Sequence, residues 1–312
     1  MELLFSRLRK IKIQYLKPWI KRYKEKKRYL YEYRKFKIRP IKKIVTLFNN
    51  NSKNYSKITL DGLRSAKSSD TIVLLGSAPS INSITPEQWG QIKTCDSFGI
   101  NYWYLNDFVP TYYFMEPPKD QKILELHKRM LSQKENSYEG VIYFLFDWFI
   151  KVGWHPKYSD ENFPKGIKLI KFPQPIRKKL HKSIPFDSQY FVDISRNMGD
   201  KIINYRSSIS IILHLAYQMR YKNIFLTGFD LNSNEYFYDN NPLMKNRIDS
   251  NQKRKQELHS TTDYGDCHGI DNYVIAFNEY VLKPKKINLF VSSKQSLLYP
   301  KIPYKSHDST QN

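Results

Sequence analysis

Thr71-Ile72-Val73-Leu74-Leu75-Gly76-Ser77-Ala78-Pro79-Ser80 is an unbroken apolar run that empties into a turn of small residues. Four apolar residues in a row behind Thr71 are too short for a core helix. They have the length and continuity of a strand buried on both faces of a parallel sheet. Downstream, Thr85-Pro86-Glu87-Gln88 carries a helix start: a capping hydroxyl, Pro at the first helical position, then a carboxylate. Strand, small-residue loop and helix, in that order, open a nucleotide-binding α/β unit. In such a unit the ligand lies beyond the carboxyl end of the strand.

Working outward, Ser97-Phe98-Gly99-Ile100-Asn101 reads as a second strand and its end. Tyr112-Tyr113-Phe114-Met115 reads as a third, stopping at Glu116-Pro117-Pro118. A helix is expected over 119–133 and another apolar strand over 141–146. Ser207 to Met219 has a serine cap region and helical apolar spacing. Asn223 to Thr227 is the clearest strand of the chain and runs into Gly228-Phe229-Asp230. A helix over 270–282 and a strand from Ile287 to Val291 complete the pattern. The expectation is an α/β fold: a Rossmann-like, mostly parallel sheet flanked by helices. Residues 151–200, rich in Pro, Lys and aromatics without a period, are expected to form a lid or insertion. Residues 233–265, polar and charged, are expected to be a mobile excursion.

The chain has 312 residues, 52 Lys+Arg against 29 Asp+Glu, and a formal net charge of +23. Its 40% hydrophobic and 15% aromatic content excludes a wholly disordered chain. Two cysteines, Cys95 and Cys267, exclude a disulfide scaffold and a four-thiolate zinc site. No 18-residue uncharged apolar run is present to span a membrane, and Arg7, Arg9, Lys10 and Lys12 interrupt any signal-peptide pattern.

The charge is concentrated. Residues 1–50 hold 17 Lys/Arg and three acids (Glu2, Glu25, Glu32), or +14, leaving +9 for the remaining 262 residues. Leu3, Leu4, Phe5, Leu8, Ile11, Tyr15, Leu16, Trp19, Ile20 and Tyr23 recur among those charges, with several spacings of three or four. That is the pattern of a basic amphipathic helix suited to an anionic membrane surface. The same residue types also serve nucleic-acid phosphates, and a solvated lysine-rich helix is the third reading. Residues 51–69 read as a polar linker, with the domain boundary near residue 68 and a nucleotide-binding domain over 70–312.

Polar or small residues stand at four strand ends: Gly76 to Ser80, Asn101, Glu116 and Asp230. In an open parallel sheet these ends face one crevice. Gly76-Ser77-Ala78-Pro79-Ser80 lacks the second and third glycines of the dinucleotide fingerprint and the Gly-Lys-Ser/Thr of a P-loop. Asp263-Tyr264-Gly265-Asp266-Cys267-His268 precedes a predicted helix. There His268 has the chemistry to take a proton from a sugar hydroxyl at neutral pH; a surface histidine beside a helix cap is the plainer reading. No second His/Cys cluster completes a metal site with His268, since His259 is nine residues away, and the chain has no Asp-X-Asp pair.

Taken in order, these segments resemble the bacterial sialyltransferases of glycosyltransferase family 42, over roughly residues 70–300. Gly76-Ser77-Ala78-Pro79-Ser80 stands where that family has Gly-Asn-Gly-Pro-Ser, and Asn101-Tyr102-Trp103-Tyr104 is similar to its second strand end. Tyr205-Arg206-Ser207-Ser208 and Leu226-Thr227-Gly228-Phe229-Asp230 are similar to its Thr-Ser-Gly helix start and Ser-Gly-Ile-Asp strand end. Gln295-Ser296-Leu297-Leu298 resembles its Asn-Ser-Leu-Leu.

The resemblance implies a GT-A-like variant fold and an inverting, metal-independent transfer of a nonulosonic acid (sialic, pseudaminic or legionaminic) from a CMP-activated donor. The acceptor would be a glycan of capsule or lipooligosaccharide, and no cofactor is implied. His268, after Tyr264, would be the general base. Tyr236 matches one of two phosphate-binding tyrosines; the other falls near Asn232, a departure for which Tyr238 is the candidate to compensate. Gly76, Ser77, Pro79, Ser80, Asn101, Glu116, Ser207, Ser208, Gly228, Asp230 and Asn232 would line the donor site. Ser77 and Glu116 replace family asparagines. With the basic extension this implies a peripheral protein on the inner face of the cytoplasmic membrane, with a homo-oligomer possible and nucleic acid not expected as a partner. The competing readings are a non-catalytic basic membrane- or nucleic-acid-binding protein, a transferase of another donor such as CMP-Kdo, and a pterin-pyrophosphokinase-like enzyme.

Overall fold

The computed structural model describes residues 60–115, 121–134, 136–146, 168–172, 176–177, 202–244, 258–262 and 267–309, with backbone alone for 121–124, 128, 145–146, 168–172, 176–177 and 309. The basic extension, Glu116, Tyr264 and most of 151–200 lie outside these residues.

The strands, in chain order, are β1 (Thr71–Leu75), β2 (Asp96–Ile100), β3 (Tyr112–Phe114), β4 (Ile142–Phe146), β5 (Lys168–Phe172), β6 (Ile176–Arg177), β7 (Ile203–Asn204), β8 (Asn223–Thr227) and β9 (Asn288–Val291). The helices are α1 (Leu60–Ser65), α2 (Pro86–Lys93), α3 (Gln121–Gln133), α4 (Ser208–Gln218) and α5 (Ile270–Phe277). Seven strands form one sheet in the order β5-β4-β3-β2-β1-β8-β9, and every neighbouring pair is parallel. The strands β6 and β7 form a separate parallel pair.

Alternate residues of the central strands feed two cores. Ile72, Leu74, Phe98, Ile100, Tyr112, Phe114, Ile224 and Leu226 pack on one face with α4 and α5. Val73, Leu75, Tyr113, Tyr143 and Phe225 pack on the other with Ile92 of α2 and Leu131 of α3. Two buried faces explain why the middles of β1, β3 and β8 run apolar instead of alternating with polar residues; β2 opens on Asp96 and Ser97, which are buried but hydrogen-bonded. Ten of the eleven residues of α4 are buried, as expected of a helix that is apolar on nearly every side.

The second helix starts where the sequence places it. Thr85 caps it, its hydroxyl accepting from the Gln88 amide while the Gln88 side chain accepts from the Thr85 amide, and Pro86 follows at the first position.

Three segments differ from expectation. The expected linker 51–69 contains α1, whose Leu60 and Leu63 are buried in the first core, so among the described residues the core already includes Leu60. The i, i+3 spacing of these two leucines is a one-turn signal too short to register in a sequence window. Residues 168–172 lie inside the expected lid, yet β5 is the outer strand of the main sheet; an edge strand with lysines at Lys168 and Lys171 has no continuous apolar run to reveal it. The helix expected over 270–282 is α-helical only to Phe277 and finishes as a π-helical turn over Asn278–Leu282.

Candidate functional site

From β1 the chain steps outward to β5, then returns to place β8 and β9 on the opposite side of β1. The β1–β8 boundary is therefore the topological switch point, where the loops leaving the carboxyl ends diverge and leave a crevice. The two loops meet backbone to backbone. Gly76 donates its amide to the Thr227 carbonyl at 2.7 Å, and Ala78 donates to the Gly228 carbonyl at 2.9 Å. A Cβ at position 76 would stand 2.2 Å from the Gly228 oxygen, so no larger residue fits. Gly228 has a left-handed φ of 72°, and a Cβ there would stand 2.6 Å from Ile81 Cγ1.

Ser80 locks the loops together, its hydroxyl donating to Asp230 Oδ1 at 2.7 Å and its amide to Oδ2 at 3.2 Å. Burial pushes the Asp230 carboxyl up, and the two Ser80 donors oppose that shift. Asp230 thus shapes the loop. Pro79 begins the short 3-10 turn, Pro79–Ser83. Ser77 gives its carbonyl to the Phe237 amide at 2.9 Å, and its Oγ is buried without a partner among the described residues. Asn101 ends β2 with a left-handed φ of 54° and accepts the Tyr113 hydroxyl on its carbonyl. Its neighbour Tyr102 meets Tyr238 edge to face at 5.4 Å, which joins the β2 end to the segment after β8.

The described parts of that segment, 233–244 and 258–262, hold one another by side-chain contacts. Tyr236 and Tyr238 are stacked at 5.2 Å and 4°. Asn234, buried, donates to the Leu258 carbonyl at 3.1 Å and accepts from the Ser260 amide at 2.9 Å. This clasp brings in His259, which sequence reasoning considered only as a distant metal ligand. The His259 ring stands perpendicular to Tyr236 at 6.2 Å. Its Nδ1 is 2.7 Å from the Thr261 hydroxyl and accepts from the Thr261 amide at 3.4 Å. An amide N–H only donates, so Nδ1 is the acceptor and the neutral ring carries its proton on Nε2. Burial pushes this imidazole below its ordinary value, which keeps it neutral at pH 7. No sequence signal links Asn234 to Leu258 and Ser260, because the clasp spans more than twenty residues.

The remaining candidates gather around the starts of α4 and α5. His268 is half-buried just before Gly269, the N-cap of α5, and its carbonyl accepts the Tyr205 hydroxyl at 2.7 Å. Tyr205 precedes Arg206, whose left-handed φ is 63° and whose guanidinium lies 5.8 Å over the Tyr205 ring. Ser207 is the N-cap of α4 and takes the Ser210 hydroxyl on its carbonyl, while Ser208 is buried in the first turn. The His259 turn connects this group to the switch point. The His259 amide reaches the Leu231 carbonyl at 3.4 Å, and the Ile270 amide donates to the Thr261 carbonyl at 2.9 Å. A Cβ on Gly269 would stand 2.2 Å from the Thr262 oxygen. Asn232, exposed, gives its side-chain amide to the Gln295 carbonyl at 3.0 Å, and Leu297 donates to the Asp230 carbonyl at 2.8 Å. The 295–298 turn thus props the β8 loop. Glu116 and Tyr264 lie outside the described residues.

No family model matches the sequence, and no curated protein does. Solved structures similar to it include two sialyltransferases. One is the sialyltransferase Cst-II in complex with CMP, 17% identical, covering 75% of this chain and 85% of that one with a TM-score of 0.43. The other is the monofunctional alpha-2,3-sialyltransferase Cst-I from Campylobacter jejuni, 15% identical, covering 76% of this chain and 81% of that one with a TM-score of 0.42.

Proposed function

We propose that this protein is an inverting glycosyltransferase that moves a nonulosonic acid from a CMP-activated donor to a hydroxyl of a bacterial surface glycan, without a divalent metal. The observation that carries the proposal is the switch point itself. Gly76 and Gly228 are held in backbone contact, Ser80 and Asp230 fix the loop, and Tyr236, His259 and His268 stand on the segments tied to that loop. The order of the motifs along the chain adds support.

In this reading the nucleotide lies over the Gly76–Ser80 loop. His268 takes the proton of the acceptor hydroxyl as its oxygen attacks the anomeric carbon. The bond from that carbon to the phosphate oxygen breaks, and CMP departs with the electron pair. Inversion follows from attack on the face opposite the leaving group. The phosphate gains negative charge as the bond breaks, so preorganised donors aimed at it lower the barrier. The Tyr236 hydroxyl and the Nε2–H of His259 are assigned that role, and Arg206 supplies positive charge near the start of α4.

A thermal-shift panel of CMP, CDP, UDP, GDP and ATP in metal-free buffer tests the donor class. CMP is expected to raise the melting temperature selectively, since a ligand at a hundredfold excess over its Kd stabilises by about 2.7 kcal/mol. Equal shifts with UDP or GDP would overturn the donor assignment. The substitution His268→Ala is expected to cost about 10²- to 10⁴-fold in turnover while the CMP shift persists. Undiminished transfer by that variant removes His268 from the mechanism.

A further inference from the structure

Beside the switch point lies an open cleft of about 540 Å³, within the range of ligand sites. It borders the Gly76–Ser80 loop directly, because Phe237, one of its walls, donates its amide to the Ser77 carbonyl at 2.9 Å. Three half-buried aromatic rings line it: Trp89, Phe108 and Phe237. Trp89 and Phe108 are stacked at 4.9 Å and 27°, so each covers one face of the other and the pair offers a ligand its outer ring faces and edges. Three carboxamides line it too, and each is anchored by one half only. Asn82 spends its amide on the Phe237 carbonyl at 3.2 Å, and its Oδ1 has no hydrogen-bond partner among the described residues. Asn106 and Asn241 spend their Oδ1 atoms on the amides of Phe108 and Leu243, at 2.9 and 3.0 Å, and their NH₂ groups have no partner among the described residues. The side chains are thus pre-oriented by the backbone while still offering one acceptor and two pairs of donors.

The electrostatics are unusual for this chain. The formal net charge is +23, yet no Lys or Arg among the described residues lines the cleft. The one ionised lining group among them, Asp107, is 3.6 Å from Lys134 Nζ, which is also held by the Asn106 carbonyl at 2.8 Å. An anionic ligand such as a nucleotide or a lipid phosphate would therefore meet a cation already engaged by two lining residues. Apolar ring faces with fixed neutral donors and acceptors match the two kinds of surface on a pyranose: its C–H face, attracted to the electron-rich ring face, and its equatorial hydroxyls.

We propose that this cleft is the acceptor subsite and binds an uncharged saccharide chain, its C–H face on Trp89 and Phe108 and its hydroxyls on Asn82, Asn106 and Asn241. The role as acceptor subsite rests on the glycosyltransferase reading; the binding of a neutral saccharide does not.

Saturation-transfer NMR with lactose, N-acetyllactosamine, maltose and chitobiose, on the full chain without nucleotide, tests the site. At least one of these neutral disaccharides is expected to bind. The double substitution Asn82→Ala/Asn241→Ala is expected to weaken it at least tenfold and leave the CMP thermal shift unchanged. Phe108→Ala is expected to do the same, and the surface carboxamide pair keeps the test valid if that variant fails to fold. If the pair binds the sugar undiminished, or none of the disaccharides binds a protein that CMP still stabilises, the cleft assignment falls and the donor reading stands. If a disaccharide binds through these residues while CMP does not bind, the saccharide site stands and the transferase reading falls.

Discussion

His127 and His214 show how far burial alone moves a side chain's chemistry. His127 lies in the aromatic core between Tyr104, at 4.6 Å, and Tyr113, at 6.5 Å, and neither ring nitrogen has a partner among the described residues. His214 lies in the opposite core and shares a 2.8 Å hydrogen bond with the Tyr273 hydroxyl. Burial pushes both imidazoles down to about 3, well under the ordinary 6.5 or so. Below pH 6.5 the unfolded chain takes up a proton at each site, and the folded chain does not until about pH 3. The unfolded state therefore binds more protons across that window, and stability falls as pH falls from 6.5 toward 3. Each histidine adds at most about 1.4 kcal/mol per pH unit to that slope. Urea titrations of the wild type and His127→Phe between pH 7 and 5 check this: the variant should lose stability less steeply. An unchanged slope would show that His127 is charged or solvated in the fold.

At the scale of elements, the contact between the β1 and β8 loops carries the site and the Thr85 cap carries only stability. Gly76→Ala forces a methyl into the Gly228 carbonyl, and because both partners are backbone the strands themselves must part. This change is expected to cost about 2–4 kcal/mol and to abolish the CMP-induced thermal shift. Thr85→Ala removes a capping box at the start of α2 and is expected to cost about 1 kcal/mol with the CMP shift intact. Paired melting curves with and without CMP read both effects. A Gly76→Ala protein that still responds to CMP like the wild type would remove the Gly76 loop from the nucleotide site.

At the scale of the whole molecule, charge and chemistry are assigned to different parts of the chain. Residues 1–50 carry +14 of the +23, and no helix of the described residues is long and apolar enough to cross a membrane. Each Lys or Arg near an anionic surface is worth roughly 1 kcal/mol, so the extension has enough charge to hold the protein there reversibly. Deleting residues 1–45 is expected to abolish co-sedimentation with vesicles containing phosphatidylserine and to preserve the CMP thermal shift. Loss of both together would show that the extension belongs to the nucleotide site. In the intact chain, raising the salt from 50 to 500 mM should weaken vesicle binding, because screening shortens the reach of exposed charges.

The local signals were legible where physics is local. The runs at 71–75, 112–115 and 223–227 are apolar because both faces of a parallel strand are buried, and Thr85-Pro86 reports its helix start because a cap depends on neighbours three residues away. Gly76 and Gly228 stood out as small residues at strand ends. Their mutual contact did not, since sequence carries no measure of which two loops adjoin. The same limit hid β5, whose place at the sheet edge leaves no apolar run, and α1, whose two buried leucines gain meaning only from the core they enter. It hid His259, which Asn234 brings to Tyr236 across a segment with no pattern of its own, and it hid the cleft, whose nine lining residues come from three separate stretches of chain, 82–89, 105–108 and 237–241. Strand identity and helix caps follow from the order of residues along the chain, because burial period and capping act over a few positions. The strand order that puts β8 beside β1, and with it the crevice, the histidine turn and the neutral cleft, was decided only by packing distant segments around shared cores.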